Sequence, residues 1–188
     1  LCCSGYYLIN ERKKEPIKKE VSFKDKIFNQ ESTNDLLKDY FIHISTLVFR
    51  KEILVNLDYF FDTRFSIIED FDFAVRLSLF TEMRVIKKPL AIYRWHSLNT
   101  GFVSDYQLGE EYNLWINDAA NIKLFSEFSG FKELKKKASW FFVVRQMFLG
   151  NKKEVLKSFF KFGTLRKLKI LLSLIVPTTI LKKIVLRP

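Results

Sequence analysis

The sequence predicts an α/β chain, and three observations carry that expectation. Short runs rich in Ile, Val, Tyr, Phe and Thr at 4–9, 41–49, 84–87 and 91–95 have the composition of strands. Residues 69–80 place Phe71, Ala74, Val75 and Leu79 on one side of a helix and Phe73, Leu77 and Phe80 on another. Apolar residues on two sides mark a helix buried inside a domain. From Asp105 onward the apolar spacing turns helical and stays so.

The 188 residues suffice for one core, or for one core with an appended unit. With 48% hydrophobic and 16% aromatic residues, 20 Phe and only 6 Gly, disorder is set aside for most of the length. The strand at 4–9 leads into a charged turn or loop at 10–20 that contains Pro16. Residues 21–40 mix polar and spaced apolar positions, and read as a loop with a helical turn or two. Then follow a buried strand at 41–49, a short helix at 50–57, and a loop at 59–62 leading to Phe65. Segments 84–87 and 91–95 form two strands or one bent one, with Pro89 tolerated at the start of the second. Cys2 and Cys3 are adjacent, which strains a disulfide and leaves a metal short of ligands, so they read as free thiols of a reducing compartment. The opening Leu1-Cys2-Cys3-Ser4-Gly5 reads as the interior of a domain, so the chain is expected to be a fragment.

Net charge is +11, and its placement is uneven. Residues 1–131 carry −2, whereas 132–188 carry +13, with Glu133 and Glu154 the only acids. Such a tail is suited to an anionic partner. Leu165, Leu168, Leu172 and Ile175 share a helical face, with Arg166, Lys167 and Lys169 around them and Lys182, Lys183 and Arg187 beyond. The apolar stretch 170–181 is short of the ~20 residues a membrane span needs, and Pro177 interrupts it. The expectation is a helix lying in a membrane interface and attracted to anionic lipid. The plainer alternative is a helix packed on its own domain with its Lys stems snorkelling. Nucleic acid is not expected as a partner, because the basic tail carries Leu and Ile at helical spacing and no recognition motif.

Residues 65–76 place Glu69, Asp70 and Asp72 in the first turn of the buried helix, with Arg76 four residues after Asp72. Acids at a helix start are favoured by the dipole and by orphan N–H groups, with no function required. One acid satisfies a cap, however, and three crowded acids repel. A carboxylate held ionised against a dry apolar helix can act as a general base. Tyr93-Arg94-Trp95-His96-Ser97 ends a strand, where a His can be a metal ligand, a base, a stacked contact or merely structural. His43, inside the apolar 41–49 run, is assigned no function.

Several pieces in order resemble the acceptor half of bacterial family 2 glycosyltransferases. They are Phe60-Phe61-Asp62-Thr63-Arg64-Phe65, then Glu69-Asp70-x-Asp72-x-x-x-Arg76, then Lys88-Pro89-Leu90-x-x-Tyr93-Arg94-x-His96. Upstream, Phe41-x-x-x-Ser45-Thr46-Leu47-Val48-Phe49-Arg50-Lys51 fits the strand and helix start before them. Gly5-Tyr6-Tyr7-Leu8-Ile9-Asn10-Glu11 is similar to the stretch after that family's metal-binding Asp-x-Asp strand. The similarity covers residues 1 to about 104 in register.

The resemblance implies part of a GT-A fold, an α/β sandwich lacking its N-terminal half, followed by a basic helical tail. It implies two regions: 1–104, the acceptor-side half, and 105–188, helical, basic and membrane-associating. The implied reaction is inverting transfer of a sugar from a nucleotide-sugar donor to a hydroxyl of a glycan or lipid-linked acceptor, in surface polysaccharide synthesis. Asp70 would be the catalytic base and Glu69 its support. Arg94, Trp95, Asp72 and Arg76 would contact acceptor or diphosphate, with Asp72 and Arg76 also shaping the helix start. His96 matches a position that helps hold a metal or the diphosphate. A divalent metal (Mg or Mn) is implied, held mainly by the absent half; Asp70-Phe71-Asp72 does not replace the missing Asp-x-Asp. The fragment alone is therefore expected to be inactive. The implied location is cytoplasmic, peripheral on the inner face of a bacterial cell membrane, with residues 132–188 on anionic lipid. The alternative is a non-enzymatic basic membrane-surface module in which Glu69-Asp70 merely caps a helix.

Overall fold

The computed structural model describes residues 1–11, 17–21, 32–96 and 105–175. The expectations for Pro16, Ser97, Pro177, Lys182, Lys183 and Arg187 lie outside them. Strand β1 (Cys2–Asn10) is central, with β2 (Ile17–Val21) antiparallel on one side and β3 (Arg84–Trp95) parallel on the other. Helices follow, so the class is mixed α/β, as the sequence predicts. Of the two readings for the segments around Pro89, the single strand is the one formed. Ser4 lies opposite Ile86 and Gly5 opposite Pro89, so the register slips where Pro89 cannot donate to the ladder.

Two expectations for the first half need correction. The stretch 10–20 is not all loop: β2 pairs with β1 from Val21 opposite Tyr6 to Ile17 opposite Asn10. Its Lys-rich composition suits an edge strand. Conversely, 41–49 is not a strand. A 3₁₀ turn occupies Ile44–Thr46, held by the Thr46 hydroxyl donating to the His43 carbonyl at 2.8 Å, and only Val48 bridges to Cys2. Local side-chain-to-backbone bonding overrides a β-prone composition here. The helix expected at 50–57 is a 3₁₀ helix, Lys51–Asn56.

Helix α1 (Ser32–Lys38) supplies Leu36 and Leu37 to the core, and α2 (Glu69–Ser78) supplies Phe71, Ala74 and Val75. After β3 come α3 (Asp105–Ala120), α4 (Lys123–Glu127), α5 (Ser129–Phe148), α6 (Lys152–Lys157) and α7 (Thr164–Ile175). The main core joins Cys3 and Phe71 to Trp115, Ile116, Phe125, Phe131, Leu134 and Ala138. Packing therefore runs straight across residue 104, the expected division. A second cluster begins further along α5 and unites Val143, Met147, Val155, Phe162 and Ile170. Trp115 anchors the first, with its ring edge-on to Phe71 at 5.1 Å and to Phe125 at 5.2 Å.

Helix α5 has no local side-chain cap; its N-cap residue is Phe128. Asn34 of α1 provides the cap from a distance, its Oδ1 accepting from the Gly130 N–H at 2.7 Å and the Ser129 hydroxyl at 3.1 Å. The helices approach so closely that a Cβ on Gly130 would stand 2.3 Å from the Asn34 carbonyl oxygen and 2.9 Å from Leu37 Cβ. Gly130→Ala is therefore expected to cost about 1–3 kcal/mol through overpacking, despite the higher helix propensity of Ala. A urea titration checks it; an unchanged or higher midpoint would contradict it.

Candidate functional site

Helix α2 also starts without a cap of its own. Ile68 occupies the N-cap position, and no side chain there accepts a bond. The N–H of that N-cap residue, and those of the two residues before it, are met by Glu111 of α3. Its carboxylate accepts from the N–H groups of Ser66, Ile67 and Ile68 at 3.1, 3.0 and 3.1 Å, and from the Ser66 hydroxyl at 2.9 Å. Removing it strands several donors, two of them partly buried. Glu111→Ala is expected to lose about 2–3 kcal/mol, with Glu111→Gln between it and the parent. Chemical denaturation of the three proteins at neutral pH measures the order; Gln equal to Ala would contradict it.

The three acids of the first turn diverge. Asp72 turns inward and is 1% exposed. One oxygen accepts from Trp115 Nε1 at 2.9 Å, the other from Arg76 Nε at 3.0 Å and Nη2 at 2.7 Å. Arg76 then reaches the loop before the helix, donating to the carbonyls of Tyr59 and Phe60 at 2.7 Å each and stacking over the Tyr59 ring. Asp72 and Arg76 together clamp loop 59–62 and α3 to the start of α2. The cavity beside them, lined by Tyr59, Arg64, Asp72, Arg76 and Trp115, is about 50 Å³. That is far below the ~300 Å³ of a small-molecule site.

Asp70 points elsewhere. Its Oδ1 accepts from the Phe71 N–H at 2.7 Å. Burial pushes its carboxyl up to about 6, the negative charge of Glu69 adds to that, and the Phe71 N–H opposes it. Two tyrosines face it. Tyr40 has a buried hydroxyl whose polar interaction is with the Asp70 carboxyl. Burial pushes that hydroxyl above its ordinary range, and Asp70 is the strongest charge acting on it. Tyr112 of α3 is raised in the same way, by burial and then by Asp70. Both rings pack edge-on against Phe71, at 5.5 and 5.2 Å. Beside them Glu69 Oε2 is buried without a hydrogen-bond partner. An acceptor left so is costly and is ready for an incoming donor.

The end of β3 is a separate place. Arg94 donates from Nε to Glu11 at 2.6 Å in an exposed ion pair, and the Trp95 carbonyl accepts from the Glu11 N–H. The Tyr40 hydroxyl feels both Asp70 and Cys3, and Cys3 lies opposite Val85, whereas Arg94 lies opposite Ile9. The offset along β1 is six residues, roughly 20 Å. The structure thus joins Asp70 and Glu69 to Tyr40 and Tyr112, and Asp72 to Arg76. It sets Arg94, Trp95 and His96 at the other end of the strand. His96 by itself supplies one ligand, too few for a divalent ion. No group of three His, Cys, Asp or Glu side chains converges on a metal-sized site among the described residues.

Tyr40, Tyr112, Glu111 and Trp115 were not singled out by the sequence. Their only signal is an aromatic or acidic residue in otherwise ordinary runs. His43 is more engaged than expected: its ring lies 4.8 Å from that of Tyr6 and 4.3 Å from that of Tyr93, and its Nδ1 bonds the Ser45 hydroxyl at 2.7 Å. Burial holds its pKa below the ordinary imidazole value. Cys2 and Cys3 are free thiols, and burial, then the neighbouring Cys2, pushes Cys3 up to about 12. Comparison with protein-family models, with curated proteins and with solved structures gave no match.

Proposed function

We propose that this chain is the acceptor-side part of an inverting glycosyltransferase, with Asp70 as the general base. The observation that carries the reading is the Asp70 carboxyl, held at about 6 by burial at the start of a buried helix. A base that titrates near neutral pH is ionised when it meets its substrate, yet basic enough to take a proton. With Oδ1 held by the Phe71 N–H, Oδ2 takes the acceptor hydroxyl proton as that oxygen attacks the anomeric carbon. The carbon–oxygen bond to the nucleoside diphosphate breaks in the same displacement, and the configuration inverts. Glu69 Oε2 accepts a second hydroxyl of the acceptor and orients it. The implied divalent metal would neutralise the departing diphosphate, but the described residues do not form a site for it, and His96 is the one residue offered toward it.

The partial GT-A sandwich belongs to the same proposal. A sandwich covers both faces of its sheet, and Ile86, Leu90 and Ile92 of β3 remain exposed, as a missing layer would leave them. The clamp from Arg76 to residues 59 and 60 also makes one unit of two pieces that resemble the family. The test is release of nucleoside diphosphate by the full-length polypeptide across a panel of nucleotide sugars, with Asp70→Asn as comparison. Turnover that Asp70→Asn abolishes while the fold is kept supports the reading. Turnover unchanged in Asp70→Asn removes Asp70 from the role.

A further inference from the structure

Among the described residues no helix is long and apolar enough to cross a membrane. Helix α7 nevertheless turns a continuous apolar face outward. Its inner side is fixed: Ile170 is fully buried in the second core cluster and Ser173 is buried beside it. Arg166 lies over the rings of Trp140 and Phe162 on the same side. At about 100° per residue, Leu165, Leu168, Leu171, Leu172 and Ile175 fall within an arc of ~120° facing the other way. All five are exposed, Leu165 at 71% and Ile175 at 84%. The arc is bordered by a lysine on each side, Lys167 and Lys169. Lys167 leans toward Phe160, which is 85% exposed and extends the apolar surface past the helix.

We infer that this face docks on an anionic lipid bilayer, with α7 lying in the plane of the headgroups. The apolar arc enters the acyl boundary, and the bordering lysines stay at headgroup level with their stems along the apolar surface. Charge selects this occupant over a second copy of the chain. Residues 132–188 carry +13, so two such tails brought face to face repel, whereas an anionic surface attracts them. The face lies beyond the Asp70 cluster, so lipid binding and sugar transfer stand or fall separately.

The test uses the full chain and co-sedimentation with two sets of vesicles. One set is phosphatidylcholine alone; in the other about one third is replaced by phosphatidylglycerol. Binding to the anionic set is expected to be about tenfold stronger or more, and to weaken as salt is added. A Leu165→Ser, Leu168→Ser, Leu172→Ser triple variant changes only exposed positions. It is expected to keep its helical circular dichroism and lose tenfold or more of that binding. If it loses helicity, Lys167→Gln with Lys169→Gln replaces it, with about a fivefold loss expected per lysine on anionic vesicles alone. Equal binding to both vesicle sets overturns the inference. So does binding that the folded triple variant retains, or a dimer, seen by light scattering, that the same triple variant dissolves without lipid.

Discussion

Asp70→Asn is expected to give a more stable protein that no longer transfers sugar. Burial raises the Asp70 carboxyl from its ordinary 3.8 to about 6. Between those values the folded state keeps a proton that the unfolded state has released, so stability falls as pH rises through about 4 to 6. Each pH unit in that window costs about 1.4 kcal/mol. Asn cannot ionise and still accepts the Phe71 N–H. At pH 7–8 the variant should therefore exceed the parent by about 2–3 kcal/mol, with the two converging near pH 4. Full-length Asp70→Asn should lose about 10²–10⁴-fold in turnover, the usual contribution of a positioned general base. Denaturation midpoints at the two pH values, with diphosphate release at neutral pH, measure both halves. A helix-start carboxylate of ordinary pKa would show a small effect of opposite sign, since Asn keeps the acceptor but loses the charge that the helix N-terminus favours.

The largest loss of stability is expected from Arg76→Ala. Asp72 is buried and depends on Arg76 for the charge opposite its own. Taking that partner away leaves Trp115 Nε1 donating to an otherwise uncompensated Asp72 carboxylate and frees the carbonyls of Tyr59 and Phe60. The cost is expected to be about 3–5 kcal/mol, that of stranding a buried charge. Asp72→Asn with Arg76→Leu removes both charges at once and should recover much of it. Urea unfolding of the single and double variants decides the point: a double variant no better than Arg76→Ala would mean that the clamp on loop 59–62, rather than the charge pair, carries the energy.

The sequence made the helix at 69–78 and the strand at 2–10 legible because each depends on its own residues. Apolar spacing gave one, and a run of β-formers the other. The same kind of reasoning failed at 41–49, where Thr46 bonds back to His43 and a β-prone composition became a 3₁₀ turn. Nor could it tell how the three acids of the first turn divide, since Trp115 and Tyr40 are distant in sequence. The N-cap N–H of α2 is met by Glu111, about forty residues on, and the cap of α5 is Asn34, nearly a hundred residues back. Borrowed caps leave no trace at the helix they serve. Asp70 accepts from the Phe71 N–H and faces Tyr40 and Tyr112, whereas Asp72 turns to Arg76 and Trp115. The i,i+4 spacing did foretell the Asp72–Arg76 pair, whereas the placement of Arg94 and His96 at the far end of β3 depends on strand register, which no motif encodes.

Asp70 stands in this mechanism as a partly buried carboxylate poised near neutral pH. Carbon-detected NMR titration of its carboxyl, assigned by the signal missing from Asp70→Asn, tests it most directly. The expected midpoint is close to the value of about 6 set by burial and the Glu69 charge. A midpoint near the ordinary 3.8 would contradict it and return Asp70 to the standing of a simple helix-start acid.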